Sequence, residues 1–338
     1  MPSTQSRAQL IGQARDLAAR VAREDCPLSG ACVVSSVAAG DFTPASDVDI
    51  LMVSATGEGR PEVYRELVQG RVFEWMVISG DHLTDIDGVL ADAGLTHEML
   101  TAVILIDEGG WLEEVQNQIK RRYQEPQGVW TRAAGQLQRI RVAIDRMGRH
   151  LAEGNILRSQ RSHVSVLKGV FGLPRALLNR RCTMTRGIVF CREAATELGW
   201  RDYLAGALEV FGVSRLDAQV VRELHETALE IIAASGFSDA EQAIRVQHLQ
   251  GSRWLLKHAG PAEAAWPLCF WSSTTVEEAG GDRNPASWEM WRRFAMMLGV
   301  DHQQQLLRRL ELAAQLLGSA VEFVQAYRPE LGLGPAGS

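Results

Sequence analysis

Two aspartates separated by one residue, Asp47 and Asp49, open an apolar run that continues to Val53. In an extended strand residues i and i+2 point to the same side, so the two carboxylates are presented together while Val48 and Ile50 face the opposite way. Like charges this close repel unless something neutralises them. Mg²⁺ does so readily, because it takes hard oxygen ligands and is commonly held by one or two carboxylates plus substrate phosphates. A pair of such ions can clamp the attacking and leaving oxygens of an in-line displacement at phosphorus. Upstream lies a polar, turn-forming stretch with Ser35, Ser36, Gly40 and Ser46. Hydroxyl and backbone N–H groups of this kind bond phosphate oxygens. Downstream, Glu74 is a lone acid inside the apolar run from Val72 to Val77. If its strand lies beside that of Asp49, Glu74 completes a three-carboxylate metal site. The plainer alternative is a set of solvated acids at a strand edge.

The elements that must position these groups follow from periodicity. Residues 5–24 form an amphipathic helix, with Leu10, Ala14, Leu17 and Val21 on one face. Residues 31–37, 47–53, 71–79 and 102–106 read as strands, and 40–46 as a turn. Residues 61–69 are predicted helical with Pro61 at the start. Further helices are expected near 83–93 and over 110–123. After Pro126 strand signals fade, and Leu137, Ile140, Ile144, Met147 and Leu151 set a helical spacing that recurs to about residue 328. The expectation is an α+β chain. Residues 1–125 form an α/β domain with a mixed sheet, its core at 28–125, and residues 126–330 an all-helical domain. Residues 331–338 are a Gly/Pro/Ser tail.

The 338 residues are 46% apolar and 22% charged, an ordinary globular balance, with a net charge of −6. That charge is uneven. Eleven Lys/Arg fall between Arg139 and Arg186 against only Asp145 and Glu153, whereas the rest of the chain is acidic. Such a block suits an anionic partner, either a triphosphate met by Lys168 and its neighbours or RNA phosphates, or else it is a solvated helix face. The five cysteines match no zinc spacing and read as reduced core thiols. No run is long enough for a membrane span and the first residues are polar, so a cytoplasmic protein is expected. Dinucleotide, P-loop, nucleophile-elbow and zincin signatures are missing. The tryptophans at 254, 266, 271, 288 and 291 read as helical core rather than a stacking platform. His163 reads as incidental.

The segment Ser35-Ser36 … Asp47-Val48-Asp49 resembles the signature of the DNA polymerase β-like nucleotidyltransferases, above all the kanamycin-type antibiotic enzymes. Arg71-Val-Phe-Glu74-Trp resembles the strand supplying that family's third carboxylate, and Ile106 to Leu112 the segment opening its last catalytic-domain helix. Ser36, Gly40, Asp47 and Asp49 match, whereas Ser35 stands where the family carries Gly. The resemblance implies Mg²⁺-dependent transfer of a nucleoside monophosphate from ATP or another triphosphate to a hydroxyl of a small, aminoglycoside-like acceptor. Asp47, Asp49 and Glu74 would hold two ions, and Ser35, Ser36, Gly40, Ser46 and Lys168 would border the nucleotide. It also suggests a homodimer, and a general base on the first long helix of the second domain. The acid there is Asp145, which a salt bridge to Arg141 and Arg149 explains equally well. The remaining alternatives are a nucleotidyltransferase acting on RNA or protein, and a nucleotide-binding protein impaired in catalysis.

Overall fold

The structure is a computed structural model that describes residues 5–42, 46–178, 180, 185–213 and 216–333. It divides into two compact units, Met1–Thr131 and Arg132–Ser338, and the division falls within one long helix.

The first unit holds a mixed five-stranded sheet in the order β3-β4-β2-β1-β5. These strands are β1 (Leu28–Val33), β2 (Val48–Ser54), β3 (Arg60–Val68), β4 (Arg71–Ser79) and β5 (Val103–Asp107). β2 runs antiparallel to β1 and parallel to β4, while β3 and β5 are antiparallel edge strands. Alternation along β2 decides what covers each face. Val48, Ile50 and Met52 pack with Leu10, Ala14, Leu17 and Val21 of α1 (Arg7–Glu24). Leu51 and Val53 face the other way, against α4 (Ile86–Ala91), α5 (Ala93–Thr101) and α6 (Trp111–Tyr123). Asp49 shares the parity of Leu51 and Val53, so at its end of the strand that second face turns from apolar to acidic.

Two expected elements change type. The strand expected at 31–37 stops at Val33, and residues 35–39 form the one-turn helix α2 (Ser35–Ala39). Ser35 causes the break, because its φ of +58° is incompatible with an extended run. The helix expected at 61–69 is strand β3. Gln69 and Gly70 both take positive φ, +50° and +80°, which is the two-residue turn that joins hairpin strands. Pro61 is tolerated there because β3 is an edge strand and needs no inward N–H near its start. The helical stretch expected near 83–93 is split into α3 (Asp81–Thr84), α4 and α5. Asp85 and Asp92 break it by capping the helices that follow, accepting from Gly88 N–H and from Gly94 and Leu95 N–H respectively.

Among the described residues the second unit is all helical. It comprises α7 (Pro126–Ala152, shared with the first unit), α8 (Ile156–Leu177), α9 (Gly187–Glu197), α10 (Arg201–Phe211) and α11 (Ala218–Ala234), followed by α12 (Asp239–His258), α13 (Pro261–Glu278), α14 (Pro285–Leu298) and α15 (Gln303–Tyr327). α8 is buried along most of its length. Gln136 of α7 donates to the Gly169 carbonyl at 2.8 Å, and Phe171 packs edge-on against Phe211 and Trp266. Trp266 and Trp291 lie in the core, as the sequence suggests, whereas Trp254 is 53% exposed. His163 is also a core residue, 2.9 Å from the Val210 carbonyl, and burial lowers its pKa to about 4. Cys26, Cys32, Cys191 and Cys269 are free and buried, while Cys182 lies outside the described residues. Among the described residues no helix is long and apolar enough to cross a membrane.

Candidate metal centre

The sheet brings the sequence's candidate carboxylates together. Because β2 and β4 pair in parallel with Asp49 opposite Glu74, the two side chains leave neighbouring strands on the same face. Asp47, two residues before Asp49, joins them, and carboxylate oxygens of Asp47 and Glu74 lie within 4.8 Å of each other. β1 borders β2 on the other side, and the Val34 N–H donates to the Asp49 carbonyl at 2.9 Å. The chain then turns at Ser35, whose hydroxyl donates to the Asp49 carboxylate.

That hydrogen bond comes from the residue in the left-handed conformation. A position with φ of +58° favours glycine, which carries no Cβ penalty there. Here Ser35 bears the cost and places a hydroxyl on the central carboxylate. Gly40 ends α2 at φ +83°, and Arg7 donates to the Val37 carbonyl at 2.8 Å and to the Ala38 carbonyl. The loop approaching Asp47 is therefore tied back to α1. Ser36 is in α2, where its carbonyl accepts from the N–H groups of Gly40 and Asp41. Ser46 is described next to Asp47 and its carbonyl accepts from Arg71. The middle of the turn expected at 40–46, residues 43–45, lies outside the described residues.

Asp49 is the electrostatic focus. Burial raises its pKa well above the ordinary carboxylate value, and the negative charges of Asp47, Glu74 and Glu98 raise it further. The Ser35 hydrogen bond is the opposing effect. Glu98, half-buried on α5, is a contributor that the sequence reading missed. Its charge also adds to the burial that pushes the Cys32 thiol up to about 12. Its only signal was an acid in the helical run 93–101, which marks nothing by itself. Also missed were two arginines. Arg65 on β3 lies directly across from Glu74, with Nε 2.5 Å from its carboxylate, both side chains being largely buried. Arg71, at the start of β4, is 6% exposed and interacts with Asp47.

This donor set suits a hard divalent cation. It offers oxygen ligands on rigid strands, with excess negative charge at a buried carboxylate that binding would relieve. Soft thiolates are absent from its described neighbours except Cys32, whose raised pKa keeps it protonated and unsuited to metal.

Asp145 and Lys168 belong to the helical unit, where both are exposed, on α7 and α8. The basic block divides. Arg175 is buried, with its guanidinium over the Phe190 ring. Arg161 pairs with Glu277 and Arg180 with Glu197, while Arg186 lies over Trp254. Several of its charges are thus engaged in holding helices together.

No family's sequence profile matches the chain, and no curated protein does either. Among solved structures it is similar to a nucleotidyltransferase-like protein from Exiguobacterium sibiricum 255-15. The two share 12% identity with a TM-score of 0.32, over 93% of this chain and 90% of that one. A score that low carries no argument about activity.

Proposed function

We propose that this chain is a metal-dependent nucleotidyltransferase that moves a nucleoside monophosphate, AMP from ATP, to a hydroxyl of a small molecule. The observation that carries the reading is the register of β2 and β4, which sets Glu74 beside Asp49 and Asp47. A solvated strand edge does not account for it, because β2 is central in the sheet and Asp49 is desolvated among like charges. The match of Ser36, Gly40, Asp47, Asp49 and Glu74 to the polymerase β-like signature supports the same reading.

In this proposal Asp47, Asp49 and Glu74 hold Mg²⁺, which when bound supplies charge neutralisation and polarises phosphate oxygens. Ser35 keeps the Asp49 carboxylate oriented through its hydroxyl. Ser36, Gly40 and Ser46 border the triphosphate, and Lys168 offsets phosphate charge. Asp145 accepts the proton of the acceptor hydroxyl. A carboxylate can do this as the O–P bond forms, with pyrophosphate carrying away the displaced electron pair. An aminoglycoside-like acceptor, a homodimer and a cytoplasmic setting belong to the same proposal. Buried, free cysteines favour a reducing compartment.

Pyrophosphate release tests it. Purified protein is incubated with Mg²⁺ and each nucleoside triphosphate against a panel of aminoglycosides, simple polyols and RNA. Turnover should need Mg²⁺ and one acceptor class, and should vanish in Asp49→Asn. Turnover that survives Asp49→Asn refutes the assignment, and labelling of RNA alone would move the acceptor to nucleic acid.

A further inference from the structure

In-line displacement at phosphorus sets a direction on the sheet, because the attacking oxygen approaches opposite the leaving pyrophosphate. Ser35, Ser36 and Gly40, the groups assigned above to the phosphates, lie where the chain leaves β1, on the β1 side of Asp49. On the other side of Asp49 come β4 with Glu74 and then the edge strand β3. An acceptor hydroxyl therefore reaches the carboxylates over β4 and β3.

That corner of the sheet is apolar where it meets water. Arg65 stands across from Glu74, and Val63 and Leu67 lie two residues to either side of Arg65 on β3. On β4, Met76 follows Glu74 by two. Strand alternation puts all three apolar side chains on the face that carries Glu74. Val63, Leu67 and Met76 are 42%, 47% and 36% exposed, and among the described residues of the first unit no other large apolar side chain is exposed. Scattered singly such residues mean little, but here they surround one ion pair at the outermost carboxylate. Three partly exposed side chains fall well short of the ~800 Å² that each partner gives to a stable protein interface, so their occupant is a small molecule.

We propose that Val63, Leu67 and Met76 form a shelf for the acceptor, and that the acceptor is a hydroxylated molecule with an apolar face, of the class of alkyl- or aryl-substituted glycosides. The inference rests on the nucleotidyltransferase reading and narrows its acceptor. Highly cationic sugars are the poorer acceptors, because laying ammonium groups on apolar side chains desolvates them. In the transfer the hydroxyl oxygen bonds the α-phosphorus as that atom's bond to pyrophosphate breaks, and the hydroxyl proton passes to the base. The shelf touches no reacting atom. It holds the remainder of the acceptor, so its contribution lies in KM rather than kcat.

The test measures pyrophosphate release by the intact chain with Mg²⁺, each nucleoside triphosphate, and alkyl glucosides from methyl to hexyl. A methylene fully covered by protein is worth about fourfold in affinity, and one half covered about twofold. The added carbons should then raise kcat/KM by roughly thirtyfold, through KM, and hexyl glucoside should surpass a polycationic aminoglycoside. Leu67→Ser and Met76→Ser, both at exposed positions, should each cut that rise at least threefold. Met296→Ser, at an exposed position on α14, should keep both the rise and the basal rate. Near-ultraviolet circular dichroism checks the packing of the variants, and the wild-type series stands without them. A wild-type rise below tenfold, a rise that neither shelf variant reduces, or turnover of aminoglycosides alone overturns the shelf while leaving nucleotidyl transfer intact. No Mg²⁺-dependent release with any triphosphate and acceptor fails the underlying reading, and this inference with it.

Discussion

Asp49→Asn should make the metal-free protein more stable and remove its stabilisation by Mg²⁺. The carboxylate is held in a buried position among Asp47, Glu74 and Glu98, all of which raise its pKa. A carboxylate whose folded pKa lies above its unfolded value favours folding less and less as pH rises from the unfolded value through the folded one. At pH 7.5, far above the unfolded value, that loss is in effect. At the 4.8 Å limit that separates the Asp47 and Glu74 oxygens, two unit charges at an effective dielectric of ~20 repel by roughly 3 kcal/mol. Asp49 meets neighbours at about the same strand spacing, and Arg65 and Arg71 offset part of the repulsion. Roughly 1–2 kcal/mol then remains to be gained by an isosteric amide, which can still accept the Ser35 hydroxyl. For a unit of this size that is a rise in melting temperature of about 3–8 °C in EDTA. Wild type should in turn be stabilised by Mg²⁺, since an ion at ten times its Kd contributes about 1.4 kcal/mol. Thermal unfolding at pH 7.5, with EDTA or Mg²⁺, reads both effects in one experiment. A lower melting temperature for Asp49→Asn in EDTA, together with an undiminished Mg²⁺ shift, would falsify the placement of Asp49 as a strained metal ligand.

Ser35 offers a finer test. Ser35→Gly relieves the positive φ while Ser35→Ala keeps it, and both lose the hydroxyl, so the glycine variant should be the more stable by about 1 kcal/mol in urea unfolding. Equal midpoints would remove the strain argument. His163 is buried neutral, with its pKa lowered from 6.5 to about 4, so the unfolded chain binds the proton first as pH falls. Stability should drop between these values and level off below them, by on the order of 3 kcal/mol in all, relative to a His163→Gln variant that keeps a donor for the Val210 carbonyl. Parallel stability curves for the two proteins from pH 7 to pH 4 would contradict this. In Gly169→Ala the new methyl meets Ile140 Cγ1 at 2.7 Å across α7 and α8. The helical unit should lose roughly 1–3 kcal/mol, read as a lower denaturation midpoint with unchanged slope.

What was legible in the sequence and what was not separate by physical range. Asp47 and Asp49 sharing a side is local geometry with a period of two, so it could be read directly. So could the apolar stripe of α1 and the helical periodicity beyond Pro126. β3 was misread because Pro61 also suits a helix start, and the Gln69-Gly70 turn is a weak hairpin signal beside Asn-Gly. Only the positive φ of both residues exposes it. The break after Val33 was hidden for a related reason, because nothing in a serine announces a left-handed backbone. Arg65 and Glu98 could not have been found at all. Their relevance depends on cross-strand register and on the packing of α5 over the sheet, both long-range facts. The basic block was visible as a count, yet burial of Arg175 and the pairing of Arg161 and Arg180 could be learned only from the folded chain.

Ser35 stands where the signature that this segment resembles carries glycine, and its conformation bears on what the residue does. If the position only had to let backbone approach a phosphate, serine would be a loss without return, and drift would be expected to relax the left-handed turn as well. The turn is kept at φ +58°, and the side chain that makes it unfavourable is the one bonded to Asp49. Strain held at a residue that touches the most desolvated carboxylate is what a functional constraint looks like, since nothing else in the short helix α2 gains from it. The hydroxyl lowers a pKa that burial and three acids raise, which keeps Asp49 closer to the ionised form a hard cation needs. Arg65 and Arg71 work toward the same end by limiting the charge around it. Serine at this position therefore acts as part of the carboxylate site.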